Sequence, residues 1–357
     1  MPYCRKCGTQ LDEDARFCRK CGTPISASYN YPPASPPAPP TPLRKDPIFI
    51  AAIVLVSILI VGVFVVALFS APFAVVNIEQ SVQENTANIH TMNLNFQSSA
   101  AKINIITQKI NNNNYFISLE GSASKRIFDD DTGNPVQLNQ YGNDADGVLN
   151  ATVILEESSA FSRLNLVCNI YVNPELNLNL NITSNAGQIS LTADKNPNFQ
   201  YLNLVSSAGQ VQANLQNVTI SGNLTLKTQA GTVDFRVNQA KVEGNNSITL
   251  QTNAGSVNMD ISETKTLQGN LQVNASTNLG SINLGLVVDS GVAAKITSQT
   301  NLGSIHVSQQ NFSGDQSPIQ SNNYPAQSNL EINNKTNLGS INIDAKYHSS
   351  TNPSIRN

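Results

Sequence analysis

Apolar and polar residues alternate with a period of two through most of the second half of the chain. The clearest example is "TNLGSINL" at residues 277–284, which returns as "TNLGSIHV" at 300–307 and as "TNLGSINI" at 336–343. A period of two is typical of half-buried β-strands. Looser copies, "SNAGQISL", "SSAGQVQA", "TQAGTVDF" and "TNAGSVNM", come earlier in the chain. The copies share a glycine, with steps of 22 to 25 residues and a last step of 36: Gly187, Gly209, Gly231, Gly255, Gly280, Gly303 and Gly339.

The phase of the alternation changes at each glycine. Counted from the glycine, positions -7, +2 and +4 are apolar almost throughout, and position -5 is apolar except at Ser298 and Asn334 in the last two copies. The residue before the glycine is three positions from the next apolar one, so a straight strand would expose one of the two apolar sets. We therefore predict that the chain bends or bulges at the glycine, with a strand on each side of it.

A strand, a corner and a second strand, repeated every 22–25 residues, predict a β-solenoid of about seven repeats over residues 151–347. An antiparallel sandwich of hairpins is the alternative. In the solenoid, the asparagine two positions before the glycine would stack into an amide ladder that satisfies the corner backbone. That asparagine recurs in five of seven copies: Asn185, Asn253, Asn278, Asn301 and Asn337.

A long apolar run separates the two halves of the chain. Residues 47–76 contain no charged side chain, which predicts a transmembrane helix, since about 20 apolar residues cross a bilayer. The run is too long for a signal peptide. Arg44 and Lys45 precede it and Glu79 and Glu84 follow it, which predicts a single-pass cell-membrane protein with its N-terminus in the cytoplasm and its C-terminal domain outside.

The N-terminus carries two C-x2-C pairs, formed by Cys4, Cys7, Cys18 and Cys21. Four thiolates complete a closed tetrahedron, so we predict a structural Zn2+ site in residues 1–25, whose folding depends on the metal. Two disulfides in a secreted domain are the alternative. In this segment basic side chains only slightly outnumber acidic ones, and the net charge of the whole chain is -3. Both values disfavour nucleic acid as a partner. A small folded tag, or a contact with a protein partner in the cytoplasm, is expected instead.

Two segments resemble known families. "YCRKCG" and "FCRKCG", within residues 3–25, resemble the zinc-ribbon family found at the N-terminus of many prokaryotic membrane proteins. "CNIYVNPELNLNLNITSNAGQISL" at 168–191, followed by recurrent T-N-x-G-S-I-x-L, resembles a β-solenoid family of prokaryotic envelope proteins assigned as adhesins. The second resemblance covers roughly residues 150–345. It implies a solenoid fold and, loosely, interaction at the cell surface.

The remaining segments and side chains give less specific indications of structure and function. Residues 26–46 are a Pro-rich linker, 77–150 a membrane-proximal capping region and 348–357 a tail. Cys168 alternates in phase with apolar neighbours, which predicts a buried free thiol; a reactive or intermolecular cysteine is the alternative. Asp-rich loops suit either calcium or turn chemistry. They contain Asp129, Asp130, Asp131, Asp144 and Asp146, and N-x-S/T acceptors lie at Asn150, Asn181, Asn217, Asn223, Asn245, Asn274, Asn311 and Asn334.

Together these patterns predict a mainly β protein with a small zinc ribbon, one transmembrane α-helix and an external β-solenoid. Charges in the solenoid do not recur at matched positions, and His306 lies on an outward phase, so we expect no enzyme. The predicted function is binding to an external protein or glycan: adhesion, or contact with the cell envelope. The alternative is a membrane sensor that couples the external domain to a cytoplasmic partner of the ribbon.

Overall fold

The computed structural model describes residues 3–25, 54–61, 73–110, 113–126, 135–157, 162–263 and 267–348. Backbone contacts divide the chain into two units, Met1–Ser70 and Ala71–Asn357. The first unit contains the cysteine-rich segment and the second contains the strands. The strands are β1 (Phe73–Glu84), β2 (Thr91–Ser98), β3 (Lys102–Thr107), β4 (Tyr115–Arg126), β5 (Val136–Ala145), β6 (Val148–Glu157), β7 (Ser162–Val172), β8 (Asn177–Ala186), β9 (Ile189–Ala193), β10 (Asn198–Ala208), β11 (Val211–Gln216), β12 (Thr219–Ala230), β13 (Val233–Asn238), β14 (Lys241–Val242), β15 (Gly244–Ala254), β16 (Val257–Glu263), β17 (Gly269–Leu279), β18 (Ile282–Asp289), β19 (Ala293–Leu302), β20 (Ile305–Gln310), β21 (Phe312–Ser313), β22 (Ile319–Ser321), β23 (Asn329–Leu338) and β24 (Ile341–His348).

The described strands form two sheets that face each other across one apolar core. Sheet A has 11 strands in the order β1-β4-β7-β3-β9-β11-β13-β16-β18-β24-β20. Sheet B has 13 strands in the order β21-β22-β19-β23-β17-β15-β12-β10-β8-β2-β6-β5, with β14 beside β12. Each coil contributes one strand to sheet B and the next to sheet A, and coils pair in parallel, as β10 does with β8 and β12. This parallel stacking is that of a β-solenoid and excludes the antiparallel sandwich.

The repeated glycine forms the corner between the two sheets, as the sequence predicted. The seven corner glycines have φ between +140° and +151°, a region that side chains rarely adopt. At Gly280 a Cβ atom would also lie 1.9 Å from the carbonyl oxygen of Gly255 in the adjacent coil. The apolar residues on both sides of the corner, such as Val273, Ile282 and Leu284, are buried. The bend therefore turns both apolar sets toward one core.

Hydroxyl groups, rather than the predicted asparagines, satisfy the corner carbonyls. Thr252 Oγ1 donates to the carbonyl oxygen of Gly231 at 3.0 Å, and other coils repeat this bond with a serine or threonine three residues before the glycine. The asparagines do form a ladder, with Asn337 Nδ2 2.9 Å from Asn278 Oδ1, but it links amide to amide on the exposed surface. The predicted role of the asparagines at the backbone was wrong, because the hydroxyl lies closer to the buried side of the corner.

The coils at each end do not stack in sequence order. The last coil, β23 and β24, lies between the coil of β17 and β18 and that of β19 and β20. At the other end, the coil of β2 and β3 lies between that of β6 and β7 and that of β8 and β9. Strands β1, β4 and β5 add antiparallel pairs at the first end, and the hairpin of β21 and β22 pairs antiparallel with β19 at the other.

The predicted transmembrane helix at residues 47–76 was wrong. Among the described residues, the helical part of this run is 54–61, and none of their helices combines the length and apolar character that a membrane span requires. Residues 73–76 begin β1 instead, where Val75 and Val76 pair with Ser124 and Ala123 of β4. Their β-branched side chains suit a strand. Residues 47–53 and 62–72 of the predicted span, like most of the predicted linker, lie outside the described residues.

Candidate metal centre and binding groove

The first candidate site is built from two copies of one turn. In each copy a cysteine N-H bonds to a threonine carbonyl five residues later: Cys4 to Thr9 at 2.8 Å and Cys18 to Thr23 at 3.0 Å. The glycine after the second cysteine of each pair has a left-handed φ of +67° or +69°, which glycine adopts without strain. Each turn thereby directs two sulfur atoms toward the same point.

The four sulfur atoms form one cluster. The Sγ atoms of Cys4, Cys7, Cys18 and Cys21 all lie within 4.8 Å of one another. Cys4 and Cys21 are 3.6 Å apart, and Cys7 and Cys18 are 3.5 Å apart. Sulfur atoms at tetrahedral positions around Zn2+ are separated by about 3.8 Å, given a zinc to sulfur distance of about 2.3 Å. The donor set therefore fits a structural zinc ion. This confirms the prediction from the sequence that these four cysteines form a cluster that could bind zinc, as in a zinc ribbon.

Two threonines beside the cluster were not identified from the sequence. Thr23 Oγ1 lies 3.1 Å from Cys21 Sγ, and Thr9 Oγ1 lies 3.4 Å from Cys7 Sγ. Hydrogen bonds with the side chain and backbone of Thr23, helped by Cys7, lower the pKa of Cys21 to about 6, and those with the side chain and backbone of Thr9 lower the pKa of Cys7. A hydroxyl that donates to a thiolate stabilises the form that binds metal. The repeated "CGT" in the sequence was the signal for these residues.

The second candidate site is a groove of about 670 Å³ on the outward face of sheet A. Two rows of side chains line it, in register across β16, β18, β24 and β20. One row contains Asn258, Asn283, Asn342 and His306, and the other contains Asp260, Gly285, Asp344 and Ser308. We call this site the Gly285 groove. Asp315 and Gln316, from the turn between β21 and β22, also line it.

The asparagine row of the groove is a hydrogen-bonded ladder. Asn342 Nδ2 donates to Asn283 Oδ1, and Asn283 Nδ2 donates to Asn258 Oδ1, both at 2.8 Å. Asn258 Nδ2 donates to Asp234 Oδ1 at 2.7 Å. Each bond uses one of the two amide hydrogens, so each asparagine keeps a further donor for a ligand. The ladder fixes the orientation of these amides in advance of binding.

The second row places two carboxylates on either side of a glycine. Asp260 pairs with Arg236 at 3.2 Å and Asp344 pairs with Lys346 at 3.0 Å. All four side chains are exposed, so these pairs contribute little to stability. A smaller depression of about 290 Å³ shares Asp260, Gly285 and Asp344 with the groove and continues it along the strands. The two depressions form one elongated surface, polar along the asparagine and aspartate rows and mostly apolar in the smaller depression.

The other residues singled out from the sequence have these positions. Cys168 is buried, and burial raises its pKa to about 12. His306 is exposed in the Gly285 groove, with Nε2 2.8 Å from Ser304 Oγ. Among the residues that the structure describes, the four cysteines are the only cluster of three or more side chains that could hold a metal ion. Asp144 and Asp146 are described and belong to no such cluster. Asp129, Asp130 and Asp131 lie outside the described residues. Asn334, the last of the N-x-S/T acceptors, is buried.

Comparisons with known proteins bear on both units. A zinc-ribbon domain family matches residues 3–25. No curated protein sequence gives a match to the chain. A crystal structure of a proposed cell adhesion protein from Clostridium sporogenes is similar at 14% identity, over 76% of this chain and 100% of that one, with a TM-score of 0.38. Proposed adhesins from Bacteroides fragilis (14% identity, 75% and 97% coverage, TM-score 0.31) and Parabacteroides distasonis (12%, 77% and 98%, 0.28) are also similar. The low TM-scores mean that the backbones superpose only in part.

Proposed function

We propose that this protein acts by binding: its solenoid unit attaches to material of the cell envelope, either of its own cell or of a neighbouring one. The observation that carries the proposal is the Gly285 groove, in which hydrogen-bonded asparagines and two aspartates line a stack of paired strands. Sheet strands hold their outward side chains at fixed spacing, which suits recognition of an extended ligand. A second polar groove of about 480 Å³ on sheet B, which includes Asn245, Asn270 and Asn329, adds to this surface.

The same groups argue for binding rather than catalysis. The two carboxylates on either side of Gly285, Asp260 and Asp344, are exposed and ion-paired. A general acid needs surroundings that keep a proton on the carboxyl group, typically an apolar pocket. Neither aspartate has such surroundings. We therefore propose that a bound ligand leaves the groove chemically unchanged.

Binding of this kind requires the solenoid unit to be displayed at the cell surface, and we propose that location. The surface of the unit suits an oxidising exterior, because Cys168, its single cysteine in the sequence, is buried. The cysteines of the ribbon instead need reducing conditions or bound metal to stay as thiolates. Protease treatment of intact cells is expected to remove epitopes of the solenoid unit, and protection of these epitopes would contradict this location.

Sedimentation tests the binding proposal itself. Purified full-length protein is mixed with isolated cell envelopes, and the bound fraction is measured in the pellet over a range of protein concentrations. We expect saturable binding that unlabelled protein competes away. A protein that stays in the supernatant, or that sediments without saturation, would contradict a specific binding function. The same assay reports hydrolysis if the envelope releases soluble fragments, which we do not expect.

A further inference from the structure

We infer that the Gly285 groove binds a neutral carbohydrate chain. This inference rests on the proposed binding function and names the ligand class of its site. Three features of the groove support it: a floor without a side chain, walls that offer both donors and acceptors, and an excess of acidic over basic groups that disfavours anions.

The floor of the groove is Gly285, and the backbone gives no reason for a glycine there. Its φ lies outside the left-handed region that the corner glycines occupy. Other glycines within described strands, such as Gly121, Gly222 and Gly269, meet a neighbouring backbone oxygen within 2.2 Å of an added Cβ, so a side chain would clash. At Gly285 the nearest atom is Asp260 Oδ1, the end of a flexible side chain, at 2.8 Å. The missing side chain therefore serves the open groove rather than the fold.

The walls match the hydrogen bonding of hydroxyl groups. A sugar hydroxyl both donates and accepts, and so needs donors and acceptors side by side. Asn258, Asn283 and Asn342 keep spare amide hydrogens, and Asp260 and Asp344 across the groove accept. Adjacent strands place these groups about 4.8 Å apart, in regular order. A polymer of similar hydroxylated units fits this repeated pattern better than a single compact ligand.

The charge of the groove selects against acidic ligands. Its lining includes Asp260, Asp315 and Asp344, while the cations Arg236 and Lys346, each paired with one of these aspartates, line the adjoining depression, so acidic groups outnumber basic ones by one. An anionic saccharide, a nucleic acid or an acidic peptide would meet like charge. The volume of about 670 Å³ falls within the range of small-ligand sites, and the adjoining depression lengthens it. These features together favour an uncharged oligosaccharide.

The test uses the full-length protein and an array of neutral and acidic oligosaccharides, followed by calorimetry with the best neutral oligosaccharide on the array. We expect binding to neutral oligosaccharides. Gly285→Val fills the floor with a β-branched residue that suits a strand and should weaken this binding by about tenfold or more. Ser190→Val makes a similar change on the outward side of β9, far along sheet A, and should leave the affinity unchanged. Both variants should keep the melting temperature of the parent protein.

The outcomes separate this inference from the proposed function. Binding only to acidic oligosaccharides, binding to none of them, or an affinity that Gly285→Val leaves unchanged would overturn the carbohydrate site. If Gly285→Val still sediments with envelopes like the parent, the protein remains a binding protein but the Gly285 groove is not its site. If the parent protein itself fails to sediment, the proposed function is overturned. Equal loss in Ser190→Val would show that sheet A as a whole, and not the groove, responds to substitution.

Discussion

Asn334 donates a hydrogen bond from Nδ2 to Oγ of Ser298 at 3.2 Å, inside the apolar core, although the two residues are 36 positions apart in sequence. They lie side by side on β23 and β19. Both occupy the position five residues before a corner glycine, where the other glycine-bearing coils have an apolar residue. Asn334 Oδ1 has no hydrogen-bond partner and is buried. A buried polar pair therefore links the two coils at this end of the solenoid.

Removing one member of this pair should destabilise the solenoid more than removing both. Ser298→Ala leaves the buried Asn334 amide without an acceptor, which should lower the free energy of unfolding by about 1–3 kcal/mol. The double variant Ser298→Ala/Asn334→Leu restores the apolar pattern of the other coils and should recover that loss. Urea unfolding followed by circular dichroism measures both values. A double variant less stable than Ser298→Ala would contradict this account.

The same pair shows what the sequence could and could not predict. The loss of apolar character at Ser298 and Asn334 is visible in the repeats, and the core positions before and after each glycine followed directly from the period of two. The order in which the last two coils stack could not be predicted from the sequence. The polar pair requires β19 and β23 to be neighbours, but it is compatible with either of them lying next to β17. Parallel pairing is nearly identical at every coil, so local sequence does not distinguish the positions in the stack. The Gly285 groove was also missed, because its residues come from four separate repeats.

Two glycines that are close in sequence have different roles: Gly280 forms a corner, and Gly285 lies in the groove. Alanine variants distinguish these roles. Gly280→Ala places a Cβ at a φ of +144°, 1.9 Å from a carbonyl oxygen of the adjacent coil. The strain and the clash should lower the free energy of unfolding by about 3 kcal/mol or more. Gly285→Ala meets only a movable carboxylate and should change stability by less than about 1 kcal/mol. Thermal unfolding compares the two variants, and equal destabilisation would argue against a special role of the corner glycine.

Loss of zinc should unfold the ribbon and leave the solenoid intact. The apolar core of the ribbon consists of Cys4, Leu11 and Cys18 with Ile25 against it, too little to fold without metal. Cys18→Ser should therefore lose bound zinc and the dispersed amide signals of residues 3–25, while the thermal transition of the strands stays in place. Cys168→Ser is the matched control, since that thiol is buried in the other unit and zinc content should not change. Zinc retained by Cys18→Ser at one ion per chain would contradict the four-cysteine site.

Zinc release on acidification should depend on the hydroxyl of Thr23. Its hydrogen bond is the largest of several contacts, with the Thr23 backbone and Cys7 among the others, that together lower the pKa of Cys21 from 9.0 to about 6. The thiolate is therefore favoured above that pH, and the preference is lost as the pH falls through about 6. Protons compete with zinc for the sulfur atoms. Thr23→Ala raises the pKa of Cys21, so zinc should be released at a pH about half a unit or more higher than in the parent protein.

The matched control for this titration is Thr23→Ser, which keeps a hydroxyl two residues after Cys21 and should release zinc at the pH of the parent. A chromogenic zinc chelator measures the release midpoint for each protein. The hydroxyl of Thr9 is a second test in the equivalent turn, since it lies 3.4 Å from Cys7 Sγ and its hydrogen bond also lowers the pKa of that cysteine. Thr9→Ala should then shift the midpoint in the same direction as Thr23→Ala. Midpoints that do not move in either alanine variant would show that the metal alone, and not the threonine hydroxyls, sets the acid stability of the ribbon.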